Sequence, residues 1–128
     1  MTLVYVAGKY IGRTREQIVD NLYRAQKAVK GVYALGAMGI YTPLMTDGFG
    51  GVFTESTMLQ RDLELLKRCD AVLLLEGWQE SVGACTEREV AIQEGMPTFD
   101  CLASLEAWLK APSKSVQRRL ASQLGVEV

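Results

Sequence analysis

Between Cys69 and Pro97 the chain reads CDAVLLLEGWQESVGACTEREVAIQEGMP. The apolar run Ala71 to Leu75 predicts a strand buried on both faces, as in a parallel sheet covered by helices. A short polar loop follows, and Ser81-Val-Gly83-Ala-Cys-Thr-Glu87 reads as the start of a helix. In open sheets of this kind, ligands bind beyond the carboxyl ends of the strands. Ser81 and the helix behind it are thus expected where such a fold does its work.

That helix has an unusual face. At about 3.6 residues per turn, Gly83, Ala84, Glu87, Val90 and Ala91 fall on one side, while Glu89 projects nearly opposite. The small residues are expected to let the helix lie close to the sheet. Glu87 stands in the middle of this face, where a carboxylate is costly unless paired, hydrogen-bonded or protonated. Two readings follow: a carboxylate turned into a ligand cleft, or a partly solvated surface Glu on a helix of different phase.

The rest of the chain repeats the strand–helix alternation. Leu3 to Ala7 reads as a strand ending at Gly8. Thr14-x-x-Gln17 is a capping box, followed by Ile18, Leu22, Ala25 and Val29 at helical spacing, with Gly36 as the stop and Gly31 as an interruption. Met38 to Thr42 reads as a second strand closed by Pro43, and residues 44–55 as a Gly-rich loop around Asp47. Ser56 or Thr57 is expected to cap a second helix with Leu59, Leu63 and Leu66 inward. Asp70 opens the third strand. Gly95-Met-Pro97 ends the Glu87 helix, and Thr98 to Leu102 reads as a fourth strand. Helices are expected at Ser104 to Lys110 and Ser113 to Leu124. This pattern predicts a single doubly wound α/β domain over 1–128, flavodoxin- or Rossmann-like, with a parallel sheet of four to five strands.

Composition narrows the function classes. The 128 residues suit one core, and 48% hydrophobic with 23% charged residues is ordinary for a globular protein. A net charge of −1 without a basic block points away from a nucleic-acid partner. No segment approaches the roughly 18 uninterrupted apolar residues of a membrane span, so no membrane partner is expected. The N-terminus lacks signal-peptide features. Cys69, Cys85 and Cys101 are odd in number and widely spaced, which argues against disulfides or zinc and for a reducing, cytoplasmic location. Histidine is absent. That removes Ser-His-Asp and Cys-His nucleophile systems and most catalytic zinc sites. In an enzyme of this composition, proton transfer falls to Asp, Glu, Tyr, Lys, Cys or a cofactor. No cofactor and no metal are expected.

Several further positions carry chemistry. Gly8-Lys9-Tyr10-Ile-Gly12-Arg13 joins the first strand to its helix and reads as an anion-binding loop or a plain tight turn; it matches neither Walker A nor G-x-G-x-x-G. Ser81 is the expected N-cap of the Glu87 helix, and its hydroxyl also suits an anion. Trp78 stands ready to stack on a base or sugar, or to cover the sheet edge. Asp62 shares a helix side with Met58, Leu65 and Leu66, and either tilts inward or stays solvated. Cys85 reads as a small packing residue.

Taken in order, the strand ending in Gly8-Lys9-Tyr10, the Thr42-Pro43 strand end, Cys69-Asp70-Ala-Val-Leu-Leu-Leu, Gly77-Trp78, Ser81-x-Gly83-x-x-x-Glu87 and Gly95-x-Pro97 resemble the nucleoside 2-deoxyribosyltransferase superfamily. The likeness is greatest to short members with a G-W-x-x-S-x-G-A-x-x-E segment and covers about residues 3–102. The resemblance implies Glu87 as the nucleophile at C1′ of a 2-deoxyriboside, with a covalent intermediate resolved by a second base or by water. It implies Tyr10, or alternatively Tyr5, beside the sugar, and Asp62 helping to protonate the departing base. Gly8, Lys9, Arg13, Trp78, Ser81 and Gly83 make up the expected substrate-binding set. In that superfamily the transferases carry Asp at the Ser81 position, against the sugar 5′-hydroxyl, whereas the 2′-deoxynucleoside 5′-phosphate N-hydrolases carry Ser there, against a phosphate. The resemblance therefore implies a 2′-deoxyribonucleoside or its 5′-monophosphate as substrate, with Ser81 favouring the monophosphate, and hydrolysis ahead of base exchange or non-catalytic nucleotide binding. A homodimer or larger homo-oligomer is also implied, with Ser104 or Ser113 as candidates for a neighbouring subunit's site.

Overall fold

In the computed structural model, the described residues are 1–43 and 55–111. Four parallel strands form one sheet: β1 (Leu3–Ala7), β2 (Met38–Ile40), β3 (Ala71–Leu74) and β4 (Thr98–Phe99), in the order β2-β1-β3-β4. Between them run helices α1 (Arg15–Ala34), α2 (Glu55–Lys67) and α3 (Val82–Gln93), and α4 (Leu102–Lys110) follows β4. One 3₁₀ turn, Trp78–Glu80, precedes α3. This is the expected doubly wound α/β architecture of flavodoxin-like order, whose switch point lies between β1 and β3. The Asp47 loop and the expected helix Ser113 to Leu124 lie outside the described residues.

Strand alternation explains how both faces of the sheet are covered. Val4, Ala71 and Leu73 turn to one side, where they pack with Val32 of α1 and Leu105 of α4. Tyr5, Ala7, Val72 and Leu74 turn to the other, against Leu66 of α2 and Ala84 and Ala91 of α3. Each fully buried Val or Leu contributes about 1.5–3 kcal/mol of burial free energy. Asp70 fixes the β1–β3 register: its Oδ2 accepts the Leu3 N–H at 2.9 Å, and its own N–H donates to the Leu3 carbonyl at 2.8 Å. Gly31, the interruption in α1, is a point of close approach. A Cβ there would lie 2.6 Å from Leu102 of α4.

Several element boundaries differ from expectation. β2 ends at Ile40 because its ladder with β1 stops at the Tyr5–Ile40 pair, and Tyr41 and Thr42 leave the sheet, both buried. β4 pairs with β3 only through Thr98 and Phe99. Cys101 is then the extended N-cap of α4, so that helix starts before Ser104. α2 begins at Glu55, which puts Ser56 and Thr57 inside it rather than at its cap. The Thr14 cap forms, with Thr14 Oγ1 accepting from Gln17 N–H at 3.2 Å. Gln17 Oε1, however, accepts from the Arg13 N–H at 2.7 Å instead of from Thr14, so the box closes one residue early. Among the described residues, no helix is long and apolar enough to cross a membrane.

Candidate active site

A cleft of about 1120 Å³ opens at the carboxyl ends of β1, β2 and β3, across the switch point. The β1–α1 loop supplies Gly8, Lys9, Tyr10 and Arg13 to its lining; α3 supplies Ser81, Gly83 and Glu87 from its first turns; α2 supplies Asp62. A cleft this large accommodates a nucleotide-sized molecule.

Glu87 is at its base, 8% exposed, on the α3 face that packs against the sheet. The Tyr5 hydroxyl donates to Glu87 Oε2 and also lies 3.4 Å from Thr42 Oγ1. Tyr5 is reached because β1 alternation turns it towards α3. Burial pushes the Glu87 carboxyl up to about 7; the Tyr5 hydrogen bond opposes that rise and the nearby Asp62 charge adds to it. Burial, then the Glu87 charge, holds the Tyr5 phenol far above its ordinary range, so Tyr5 acts as a neutral donor. Near neutral pH, then, Glu87 passes between carboxylic acid and carboxylate with a fixed hydrogen-bond partner. Perturbed carboxyls in clefts of this kind are candidates for catalysis.

The other positions are distributed around this pair. Ser81 caps α3, its Oγ accepting the Ala84 N–H at 3.1 Å. A hydroxyl carries one donor and two acceptor sites, so the Ser81 proton remains available to an anion at the helix N-terminus. Lys9 Nζ is paired with Glu80 at 2.9 Å on the cleft rim. Tyr10 lines the cleft half-buried, and its carbonyl accepts from Asn21 Nδ2 at 3.2 Å. Asp62 is held by its sequence neighbour, Arg61 Nη2 standing 2.6 Å from its Oδ1. Gly8 is a site of close packing, for a Cβ there would meet Leu75 side-chain atoms at 2.6 to 2.9 Å. Gly83 is not: the nearest atom to a Cβ would be Ser81 Oγ at 3.9 Å. It faces the cleft and does not bring α3 closer to the sheet.

Trp78 is not among the cleft-lining residues. Gly77, with φ of 84°, turns the chain into the 3₁₀ segment, and the indole packs against the α2/α3-side core with the Arg88 guanidinium 5.1 Å from its ring. Sequence reasoning also passed over Tyr41 and the polar face of α1. Gln17, Asp20, Asn21 and Arg24 recur at helical spacing and line the same cleft. That spacing was available as a signal, but nothing in it said which face the cleft would take. Among the described residues, no group of three or more acidic or cysteine side chains is placed to hold a metal ion.

No curated protein matches the sequence. Among solved structures, the fold is similar to a 2-deoxyribosyltransferase from the psychrotolerant bacterium Bacillus psychrosaccharolyticus, a biocatalyst for the synthesis of antiviral and antitumoral nucleosides. The two share 16% identity and a TM-score of 0.60, over 76% of this chain and 69% of that one. At that identity the likeness establishes a common fold. Residues 2–100 match the family model described as a domain of unknown function, DUF4406, and this chain belongs to that family.

Proposed function

We propose that this protein is an enzyme of N-glycosidic bonds, acting on 2′-deoxyribonucleosides or their 5′-monophosphates and favouring hydrolysis to free base and deoxyribose (5-phosphate). The observation that carries this reading is Glu87, a buried carboxyl at the base of a switch-point cleft with a phenol donating to it. The fold shared with a 2-deoxyribosyltransferase supports it.

In the proposed reaction a Glu87 oxygen bonds to C1′ as the C1′–N bond breaks. The base leaves with the bonding electron pair and takes a proton that comes from solvent, with Asp62 placed to relay it. A water then adds its oxygen to C1′ and releases Glu87, and the proton it loses returns to the medium. Carboxylates serve well at anomeric carbons, where the transition state has oxocarbenium character. The Tyr5 hydrogen bond holds the nucleophile in place. In this reading Ser81 and the α3 N-terminus take a 5′-phosphate, with Lys9 and Arg13, which line the same cleft, adding positive charge. Ser in place of a carboxylate at that cap avoids repelling the dianion. A homo-oligomer belongs to the same reading.

The test is incubation with each of the four 2′-deoxynucleoside 5′-monophosphates, with chromatography for free base. A second free base added to the mixture separates transfer from hydrolysis, since only transfer makes a new nucleotide. Glu87→Gln removes the nucleophile and is expected to reduce release by several orders of magnitude. Full activity in Glu87→Gln would rule out this mechanism.

A further inference from the structure

Two buried side-chain polar groups have no hydrogen-bond partner among the described residues: the Tyr41 hydroxyl and Trp108 Nε1. Trp108 packs against Phe99 and takes no part in the cleft. Tyr41 does line the cleft and is only 4% exposed. A buried hydroxyl without a partner is uncommon and unfavourable, and calls for an explanation. Neighbouring groups do not relieve it. The Tyr5 hydroxyl is committed to Glu87 and Thr42, and the Tyr41 ring packs in one apolar cluster with Val6 and Ala25.

We propose that Tyr41 is a substrate-recognition residue whose hydroxyl pairs with a sugar hydroxyl of the bound nucleotide. The inference rests on the reading that the cleft takes a deoxynucleotide. That reading assigns the remaining polar needs of such a ligand to other lining residues: the phosphate to Ser81 and the loop cations, C1′ to Glu87, the departing base to Asp62. A neutral phenol both donates and accepts, which matches a sugar hydroxyl better than it matches a dianion. Burial holds the Tyr41 phenol well above its ordinary range, and the proximity of Tyr10 and Glu87 adds to this, so it stays neutral throughout the working pH range. Tyr41 sits beside Thr42, the residue that contacts Tyr5, which puts it one side chain away from the nucleophile's own hydrogen-bond partner.

The experiment uses Glu87→Gln protein, so that ligand is not consumed, with and without Tyr41→Phe. Affinities are measured calorimetrically for a 2′-deoxynucleoside 5′-monophosphate and for its 2′,3′-dideoxy counterpart. Tyr41→Phe is expected to weaken the hydroxylated ligand roughly 10-fold or more and the dideoxy ligand by less than about 3-fold. The melting temperature of the ligand-free Tyr41→Phe protein is expected to be unchanged or higher, because the variant removes an unpaired buried group. An equal loss for both ligands, or none for either, overturns the proposal while leaving the nucleotide reading intact; equal loss would place the contact on the base or phosphate. A clear drop in the melting temperature of the free protein also overturns it, by showing that the hydroxyl has a structural partner. If neither nucleotide binds either protein, both readings fall together.

Discussion

Tyr5 donates its phenolic hydrogen bond to Glu87 across 82 positions of sequence, from the middle of β1 to the second turn of α3. Both partners are nearly excluded from water. The pair ties a strand at the switch point to the helix whose N-terminus opens onto the cleft. It also leaves the carboxyl poised, since burial drives its pKa up while the phenol restrains the rise.

Glu87→Gln is expected to stabilise the free protein at alkaline pH. The folded carboxyl titrates at about 7, against an ordinary value of 4.5. Its favourable contribution is therefore full below about pH 4.5, fades as pH rises, and is gone above about 7. The difference corresponds to about 3 kcal/mol. Gln has no charge to bury, so the variant should melt several degrees above wild type at pH 8, with the gap closing towards pH 5. Thermal melts across that range decide the matter. A gap of constant size would show that Glu87 does not titrate in this way.

Tyr5→Phe removes the donor and keeps the ring. Without that hydrogen bond the Glu87 carboxyl rises further, because the bond is the influence holding it down. A nucleophile must be ionised, so the rate should climb with pH through a midpoint near 7 in wild type and at a more alkaline pH in the variant. The plateau should also fall roughly 10- to 100-fold as the carboxylate loses its fixed position. A pH–rate profile in kcat/KM reads both effects. An unmoved midpoint would detach Tyr5 from the chemistry.

The strand–helix order was readable because periodicity reports it directly. The unbroken Ala71–Leu75 run, the Thr14 cap and the small-residue face of α3 each depend on neighbours close in sequence. Glu87 was legible for the same reason, as a charge where its helix should have been apolar. Its partner Tyr5 was named only through the resemblance, as the alternative to Tyr10, and not by periodicity. Tyr5 reads as one more apolar strand residue until the face it shares with α3 is known. Tyr41 and Thr42 continue the β2 pattern and look like strand, yet the β1–β2 ladder ends at the Tyr5–Ile40 pair. Of the two readings of Trp78, the structure shows packing: after Gly77 the indole lies against the α2/α3-side core. Local pattern located the elements; contacts across the sheet decided which residues meet.

Ser81 allows a test that separates capping from recognition. Ser81→Asp keeps a good N-cap, since Asp accepts the same Ala84 N–H. It also sets a negative charge against any phosphate. Melting temperature should hold while kcat/KM for a 5′-monophosphate falls at least 10-fold, roughly the effect of one repulsive contact of 1–2 kcal/mol. Activity on the corresponding nucleoside should survive or improve. Ser81→Ala should instead cost about 1 kcal/mol of stability. Equal losses on nucleoside and nucleotide in Ser81→Asp would remove the phosphate from this end of the cleft.

Gly8 and Gly83 line the same cleft and should respond to alanine in opposite ways. At Gly8 the new Cβ would stand 2.7 Å from Leu75 Cβ, an atom anchored to the backbone that no rotamer change moves away. Gly8→Ala is thus expected to lose about 1–3 kcal/mol through overpacking. At Gly83 the nearest atom is 3.9 Å away, and the residue lies in the first turn of α3. There Ala should leave stability unchanged or raise it by up to about 1 kcal/mol from helix propensity. Its methyl would nonetheless project into the ligand's space and raise KM. Denaturant melts and steady-state kinetics on the two variants measure both quantities. If Gly83→Ala binds nucleotide as well as wild type does, the ligand does not pass over the first turn of α3.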